Sequence, residues 1–171
     1  MSPIFTDRLL VMECPLDLAK SVILHREKLE ERSPLALPND WPSTQLKSLL
    51  PYYIEMLEKN AAKRSLQIWL MIAPEIRTVI GSIRLKQVAD DASTIDLGYE
   101  TVYSYRRQGY CFEAVQAVVR YVFLDKRIKK ITAECDERNI GSIKILEKLG
   151  MRCVNKEVSF LMWELKKESI S

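Results

Sequence analysis

Apolar and polar positions along the chain switch repeatedly between a helical and an extended period. Residues 5–14 hold the run Leu9-Leu10-Val11-Met12 and stop at Pro15, which predicts a first strand. Over 16–31, Leu18, Val22 and Leu29 fall on one side and Lys20, Glu27 and Lys28 on the other, a helical pattern. Residues 33–42 carry Pro34, Pro38 and Pro42 around Asn39-Asp40-Trp41 and read as a loop. Helical spacing returns over 43–59 through Leu46, Leu49, Leu50, Tyr53, Ile54 and Leu57. Pro51 is expected to kink or split that helix, because proline lacks an N–H and crowds the preceding turn.

Beyond Asn60 the pattern becomes extended. Residues 66–73 and 78–88 predict two strands joined by the turn Pro74-Glu75-Ile76-Arg77, an antiparallel hairpin. Asp90-Asp91-Ala92-Ser93 reads as a turn into a central strand. There Ile95, Leu97 and Tyr99 share one face, and Asp96, Gly98 and Glu100 the other. A helix over 109–125 would bury Phe112, Val115, Val118, Val119, Val122 and Phe123, with Glu113 facing outward or toward a ligand. Residues 129–135 form a strand. The helix over 139–149 has Asn139 as its cap, Gly150 as its stop and Ile143, Leu146 and Leu149 as its core face. Residues 151–156 and 158–166 make a last pair of strands. The order is that of an α/β fold with a mixed sheet.

Composition narrows the function classes. The 171 residues predict a single domain, and 47% hydrophobic with 29% charged residues is ordinary for a soluble globular protein. A net charge of +3, from 26 basic and 23 acidic residues, gives no case for a nucleic-acid binder. Cys14, Cys111, Cys135 and Cys153 are far apart and the chain has one histidine, which argues against a zinc site and for reduced thiols. No apolar run approaches membrane-spanning length and the start does not read as a secretory signal, so the expected location is the cytoplasm.

The chemistry concentrates in residues 96–114. A strand passes through the basic turn Ser104-Tyr105-Arg106-Arg107-Gln108 and Gly109 into a helix. First-turn amides of a helix lack internal partners and carry partial positive charge, so this junction is a candidate anion site. The spacing fits neither a dinucleotide nor a P-loop motif. An ordinary loop with a solvated arginine pair explains the turn equally well.

Two motifs then carry a family resemblance. Leu97-Gly98-Tyr99, followed by Tyr105-Arg106-x-x-Gly109-Tyr110-x-x-Glu113-Ala114, is similar to the acetyl-CoA signature Arg/Gln-x-x-Gly-x-Gly/Ala of the GCN5-related N-acetyltransferases (GNAT). Asn139-x-x-Ser142-x-x-x-Leu146-Glu147-Lys148-Leu149-Gly150-Met151 resembles the Asn-x-x-Ser-x-x-x-Leu-x-Lys-Leu-Gly-Phe run of the branch that holds the ribosomal-protein N-terminal acetyltransferases. Ile80-Gly81-Ser82-Ile83 and Thr6-Asp7-Arg8-Leu9 fit as well. Arg107 stands where the family usually has glycine, and Cys111 and Phe112 replace a small residue and a hydroxyl.

The resemblance implies a mixed, mostly antiparallel sheet of six to seven strands, splayed at its centre and flanked by about four helices. It implies acetyl-CoA as cosubstrate and no metal. The pantetheine arm would lie in the gap between the central strand and 129–135. The cofactor residues would be Thr101, Val102, Arg106, Arg107, Gln108, Gly109, Tyr110, Cys111, Phe112 and Asn139, with the amides of 107–112 on the diphosphate and an amide near 100–102 polarising the thioester oxygen. Transfer to an amine needs a proton acceptor, oxyanion stabilisation and relief of the leaving thiolate. Asp96 and Glu100 are the candidate bases, Asp96 first. Glu100 can instead bind the cationic amine. Ser142 is a candidate donor to the thiolate, with Tyr99, Tyr103 or water as alternatives, because the tyrosine used in other branches is Leu146 here. Each has a bland reading: a strand-edge carboxylate, a helix cap, a solvated hydroxyl.

Lys144 and Lys148 can reach phosphate or simply be solvated. Trp41, Tyr52, Tyr53, Trp69 and Trp163 are expected in the core, with Trp41 the one to watch near an acceptor. Cys111 reads as a packing residue rather than a nucleophile. The implied partner is an amine-bearing small molecule or peptide, with no nucleic acid or membrane, acting on a monomer or homodimer. A non-catalytic acyl-CoA-binding module of the same fold is the competing reading.

Overall fold

A computed structural model describes residues 2–24, 26–28, 33–60 and 65–170. Its centre is one eight-stranded sheet: β1 (Ile4–Phe5), β2 (Leu10–Glu13), β3 (Leu66–Ala73), β4 (Thr78–Val88), β5 (Asp91–Thr101), β6 (Lys130–Asp136), β7 (Arg152–Glu157) and β8 (Phe160–Lys166). The spatial order is β1-β2-β3-β4-β5-β6-β8-β7. β5 and β6 pair in parallel and every other neighbouring pair is antiparallel.

The eighth strand, beyond the expected six to seven, arises because residues 4–13 form two strands where the pattern predicts one over 5–14. That segment is a short hairpin, because Thr6 turns the chain: its amide donates to the carbonyl of Leu9, and its hydroxyl accepts the Leu9 N–H. The hairpin β3–β4 has the bounds that the pattern predicts, closed by a 3-10 turn at Pro74–Ile76. β5 begins earlier than expected. Asp91 pairs with Val88 and the register with β4 then skips residues 92–94, while the Asp91 carboxylate takes bonds from Ser93 and Thr94.

The helices among the described residues include α1 (Leu16–Leu24), α2 (Thr44–Glu58), α3 (Tyr110–Leu124) and α4 (Ile140–Lys148). Residues 26–28 are helical too, whereas Leu29 and the expected end at Glu31 lie outside the described residues. α2 starts on Ser43, whose side chain accepts the Leu46 N–H, and runs unbroken through Pro51. Pro51 is exposed, so water can serve the Lys47 carbonyl that it leaves without a helical donor. α4 begins and ends as its sequence predicts. Asn139 accepts the Ser142 N–H, and Gly150, at φ 82°, closes the helix while Met151 N donates to Leu146 O.

Alternation along β3 sorts the core into two layers. Trp69, Met71 and Ala73 pack with α3 and the Leu146 side of α4; Ile68, Leu70 and Ile72 pack with α1 and α2. Trp41, Tyr53, Trp69 and Trp163 are buried, but Tyr52 is exposed and holds Ser65 through its hydroxyl. Phe112, Ile143 and Leu149 are half-buried rather than core, and Phe112 lies under the Lys148 ammonium. The thiols are free: Cys14 and Cys135 are buried, Cys153 is exposed. No helix among the described residues is long and apolar enough to cross a membrane.

Candidate active site

β5 and β6 part company. Their ladder pairs Thr94 with Lys130, Ile95 with Ile131, Asp96 with Thr132 and Leu97 with Ala133, then stops. β5 goes on beside β4 to Thr101, and β6 goes on beside β8 to Asp136. Residues 98–101 therefore have no strand partner on the β6 side. Val102 gives its N–H to Ile80 O on β4. Strand amides alternate sides, so those of Tyr99 and Thr101 point the other way, into the gap. Of the amides at 100–102, only that of Thr101 faces the opening.

Both parallel strands end at the same edge, and each hands over to a helix. After β5 comes a 3-10 turn at Tyr103–Tyr105, then Arg106 to Gly109, then α3. Arg106 N donates to Tyr103 O, but the six amides of 107–112 find no acceptor among the described residues. Gly109 caps α3 at φ 79°, and Arg107 sits at φ 61°, also left-handed, where a glycine is the natural occupant. After β6, Asn139 caps α4. Two helix mouths thus flank the place where the sheet opens.

The N-terminal residues hold the first mouth in shape. The Glu113 carboxylate accepts from the Thr6 hydroxyl at 2.6 Å, the Arg8 amide at 2.8 Å and Arg8 Nε at 2.7 Å. Arg8 Nη1 donates to Gln108 O at 2.9 Å, and its guanidinium lies 4.2 Å from the centre of the Tyr110 ring. Burial works to raise the Glu113 carboxyl, but the bonds from Thr6 and Arg8 prevail and hold it below its ordinary range. Arg106 Nε folds back onto Thr101 O, and Gln108 Nε2 onto Ser104 O. Cys111 is no activated nucleophile: burial pushes its thiol up to about 11, against a hydrogen bond with Thr101.

A cleft of about 140 Å³ opens at the split. Gln45, Leu46 and Leu49 of α2 line it from one face of the sheet, and Ser142 of α4 from the other, so it passes through the sheet. Ser82, Arg84, Leu97, Gly98, Tyr99, Glu100 and Glu134 complete the lining. Glu100 Oε1 accepts the Ser43 N–H at 3.1 Å, at the mouth of α2. Tyr99 donates to Ser142 O at 3.4 Å, and burial pushes its phenol upward, so it stays protonated. Trp41 contributes indirectly: its buried indole N–H donates to Ser82 Oγ at 2.6 Å.

Of the sequence candidates, Glu100 and Ser142 meet in this cleft, with Tyr99 between them. Asp96 is not part of the lining. It sits one step inside the paired ladder, bonded to Arg84 Nη2 at 3.0 Å and to the Thr132 hydroxyl at 3.4 Å. Burial pushes its carboxyl above the ordinary range, against the pull of Arg84 and Thr132. Tyr103 is exposed and stacks under Arg106. Leu146 is buried, so no polar group stands at its place. Arg84 and Glu134 were not singled out in the sequence. Their signal was period two: Ser82 and Arg84 break an apolar strand on one face, and Thr132, Glu134 and Asp136 alternate with Ile131, Ala133 and Cys135.

Residues 25–152 match the acetyltransferase (GNAT) domain family. The chain belongs to the GNAT acetyltransferases. It is 31% identical to the uncharacterized N-acetyltransferase YjdG of Bacillus subtilis (strain 168) over 124 residues, 72% of this chain and 74% of that one. Among solved structures, RimL, a ribosomal L7/L12 α-N-protein acetyltransferase in complex with coenzyme A, is 13% identical and superposes with a TM-score of 0.69 over 96% of this chain and 98% of that one. Spermidine N-acetyltransferase from Vibrio cholerae gives 10% and 0.68, over 95% and 96%. As a GNAT acetyltransferase the protein is an acyltransferase, and its sheet is the fold of that family. Among the described residues no group of three or more His, Cys, Asp or Glu is arranged to hold a metal.

Proposed function

We propose that residues 1–171 act as one domain that moves an acetyl group from acetyl-CoA directly to an amine. The observation that carries this is the coincidence of two features: six unengaged amides at 107–112 and a ladder that stops beside them at Leu97–Ala133. Amides at a helix mouth suit a diphosphate. A strand flank without a partner suits an extended arm with amide groups of its own. Thr101, Arg107, Gln108, Gly109, Tyr110, Cys111 and Phe112 hold the cofactor through backbone. Arg106 shapes the turn through Thr101, and Asn139 flanks the arm from the other helix mouth. Val102 contributes position only, since its amide is already bonded.

The acceptor enters from the α2 side. Its amine, once neutral, attacks the thioester carbon; the C–N bond forms, the C–S bond breaks, and coenzyme A leaves as thiolate. Glu100, in the cleft, accepts the amine proton through water in preference to Asp96, which is tied to Arg84 behind the cleft floor. The Thr101 amide is the donor available to the developing oxyanion. Ser142 stands beside Tyr99 on the far side, and its hydroxyl relieves the thiolate.

A mass-shift screen of the protein with acetyl-CoA and pooled amines and peptides tests the reading. Acetylated products are expected, with Glu100→Gln lowering kcat by roughly a hundredfold. Saturable acetyl-CoA binding in calorimetry without product from any amine would favour the non-catalytic module instead.

A further inference from the structure

The cleft holds a cation that the transfer chemistry above leaves without a task. Arg84 lies on β4 directly opposite Gly98, and it lines the cleft with a quarter of its side chain exposed. A Cβ at position 98 would sit 2.6 Å from Arg84 Nη2 and 2.8 Å from its Nε, so the guanidinium lies across bare glycine backbone. Asp96 takes only one nitrogen, Nη2. Nε and Nη1 have no acceptor among the described residues. A guanidinium has five donors arranged for fork-like recognition of a carboxylate, and here Asp96 takes one of them at the edge of the cleft.

The opposite charge is close by on the same lining. Ser82 pairs with Glu100 and Arg84 with Gly98, so Glu100 is the diagonal neighbour of Arg84, roughly 7–8 Å away along the sheet. Glu134 approaches from β6, across the split. An acceptor with cations only would leave the donors that Asp96 does not take without a carboxylate. A molecule bearing an ammonium and a carboxylate a few bonds apart satisfies both sides of the cleft.

Building on the reading that this cleft takes the acceptor, we infer that the acceptor is an amine with its own carboxylate: an α-amino acid, or a peptide whose first residue is acidic. Arg84 anchors the carboxylate, and Glu100 and Glu134 receive the ammonium. Asp96 is a positioning residue that orients Arg84 from behind.

The test compares matched acceptors with acetyl-CoA: free amino acids against their carboxamides, peptides beginning with Asp or Glu against Asn or Gln, and spermidine. The carboxylate member of a pair is expected to show kcat/KM roughly tenfold or more above its neutral partner. Arg84→Gln brings that ratio close to one, mainly through KM, and Arg84→Lys restores part of it. Which pair shows the larger ratio decides between amino acid and peptide. The double variant Arg84→Gln/Asp96→Asn removes both charges, so loss of the preference in a folded protein is still read if the single variant does not fold. Transfer that ignores the carboxylate, or that favours spermidine, overturns this inference and leaves the acetyl-transfer reading standing. Retained acetyl-CoA binding with no transfer to any amine overturns both.

Discussion

β4 has two neighbours with different histories. Toward β3 it is paired from Thr78 to Lys86, and from Thr78 to Ile83 every residue of β4 is buried. Toward β5 it is paired as well, but β5 loses its own outer partner after Leu97. One side of the sheet spends its backbone and its apolar surface on stability. The other leaves backbone amides without strand partners and lines a cleft with charged side chains. The contrast teaches that the site is made where the rules that build the fold are allowed to lapse.

The sharpest way to break that contrast is to injure the paired side. Ile83 is fully buried there, and Ile83→Ala is expected to cost about 2–5 kcal/mol in denaturant unfolding, through lost contacts and the cavity left behind. The KM for acetyl-CoA of the folded fraction should stay close to that of the parent.

Glu113→Gln comes next. It removes the charge on which Thr6 and Arg8 converge, and about 2 kcal/mol of stability should go with it. The sign with pH follows from the lowered Glu113 carboxyl. Its contribution is complete above the ordinary carboxylate value and fades as pH falls through the depressed folded value, so the parent loses this stability on acidification. The variant should show a shallower acid limb in melting temperature against pH.

Gly109→Val addresses the open side. A β-branched residue at φ 79° is strained by about 1–2 kcal/mol, and even a Cβ there would sit 3.3 Å from Arg8 Nη2. Calorimetry should show acetyl-CoA affinity falling at least roughly tenfold as the amides move.

The smallest effect expected is at Arg107. Arg107→Gly relieves a left-handed arginine and should be neutral or stabilising by under about 1 kcal/mol, while acetyl-CoA binding weakens through the lost charge. A gain in affinity would remove any role for that side chain.

Legibility from sequence follows the same divide. Elements with local signals were readable: the β3–β4 hairpin from its apolar runs and Pro74, and α4 from Asn139 and Gly150. Where a local signal has two meanings the reading slipped. Asp91 and Ser93 carry turn chemistry inside a strand, and Pro51 sits in a helix with its ring exposed. The strand-to-helix junction proposed as an anion mouth was legible because a glycine there is itself a local signal. Its support was not: Arg8 and Glu113 are 105 residues apart, and nothing short-range couples them. Arg84 and Glu134 were missed for the opposite reason. A charged residue in alternation looks like any solvated strand face until the neighbouring ladder is seen to stop.

The bonds from Thr6 and Arg8 to Glu113 and Gln108 make residues 6–8 a strut for the distant mouth of α3. On the proposed reading of that mouth as the diphosphate grip, whatever tugs, cleaves or caps those residues is felt at the nucleotide, and a fusion partner placed there would act as an unintended dial on how firmly coenzyme A is held.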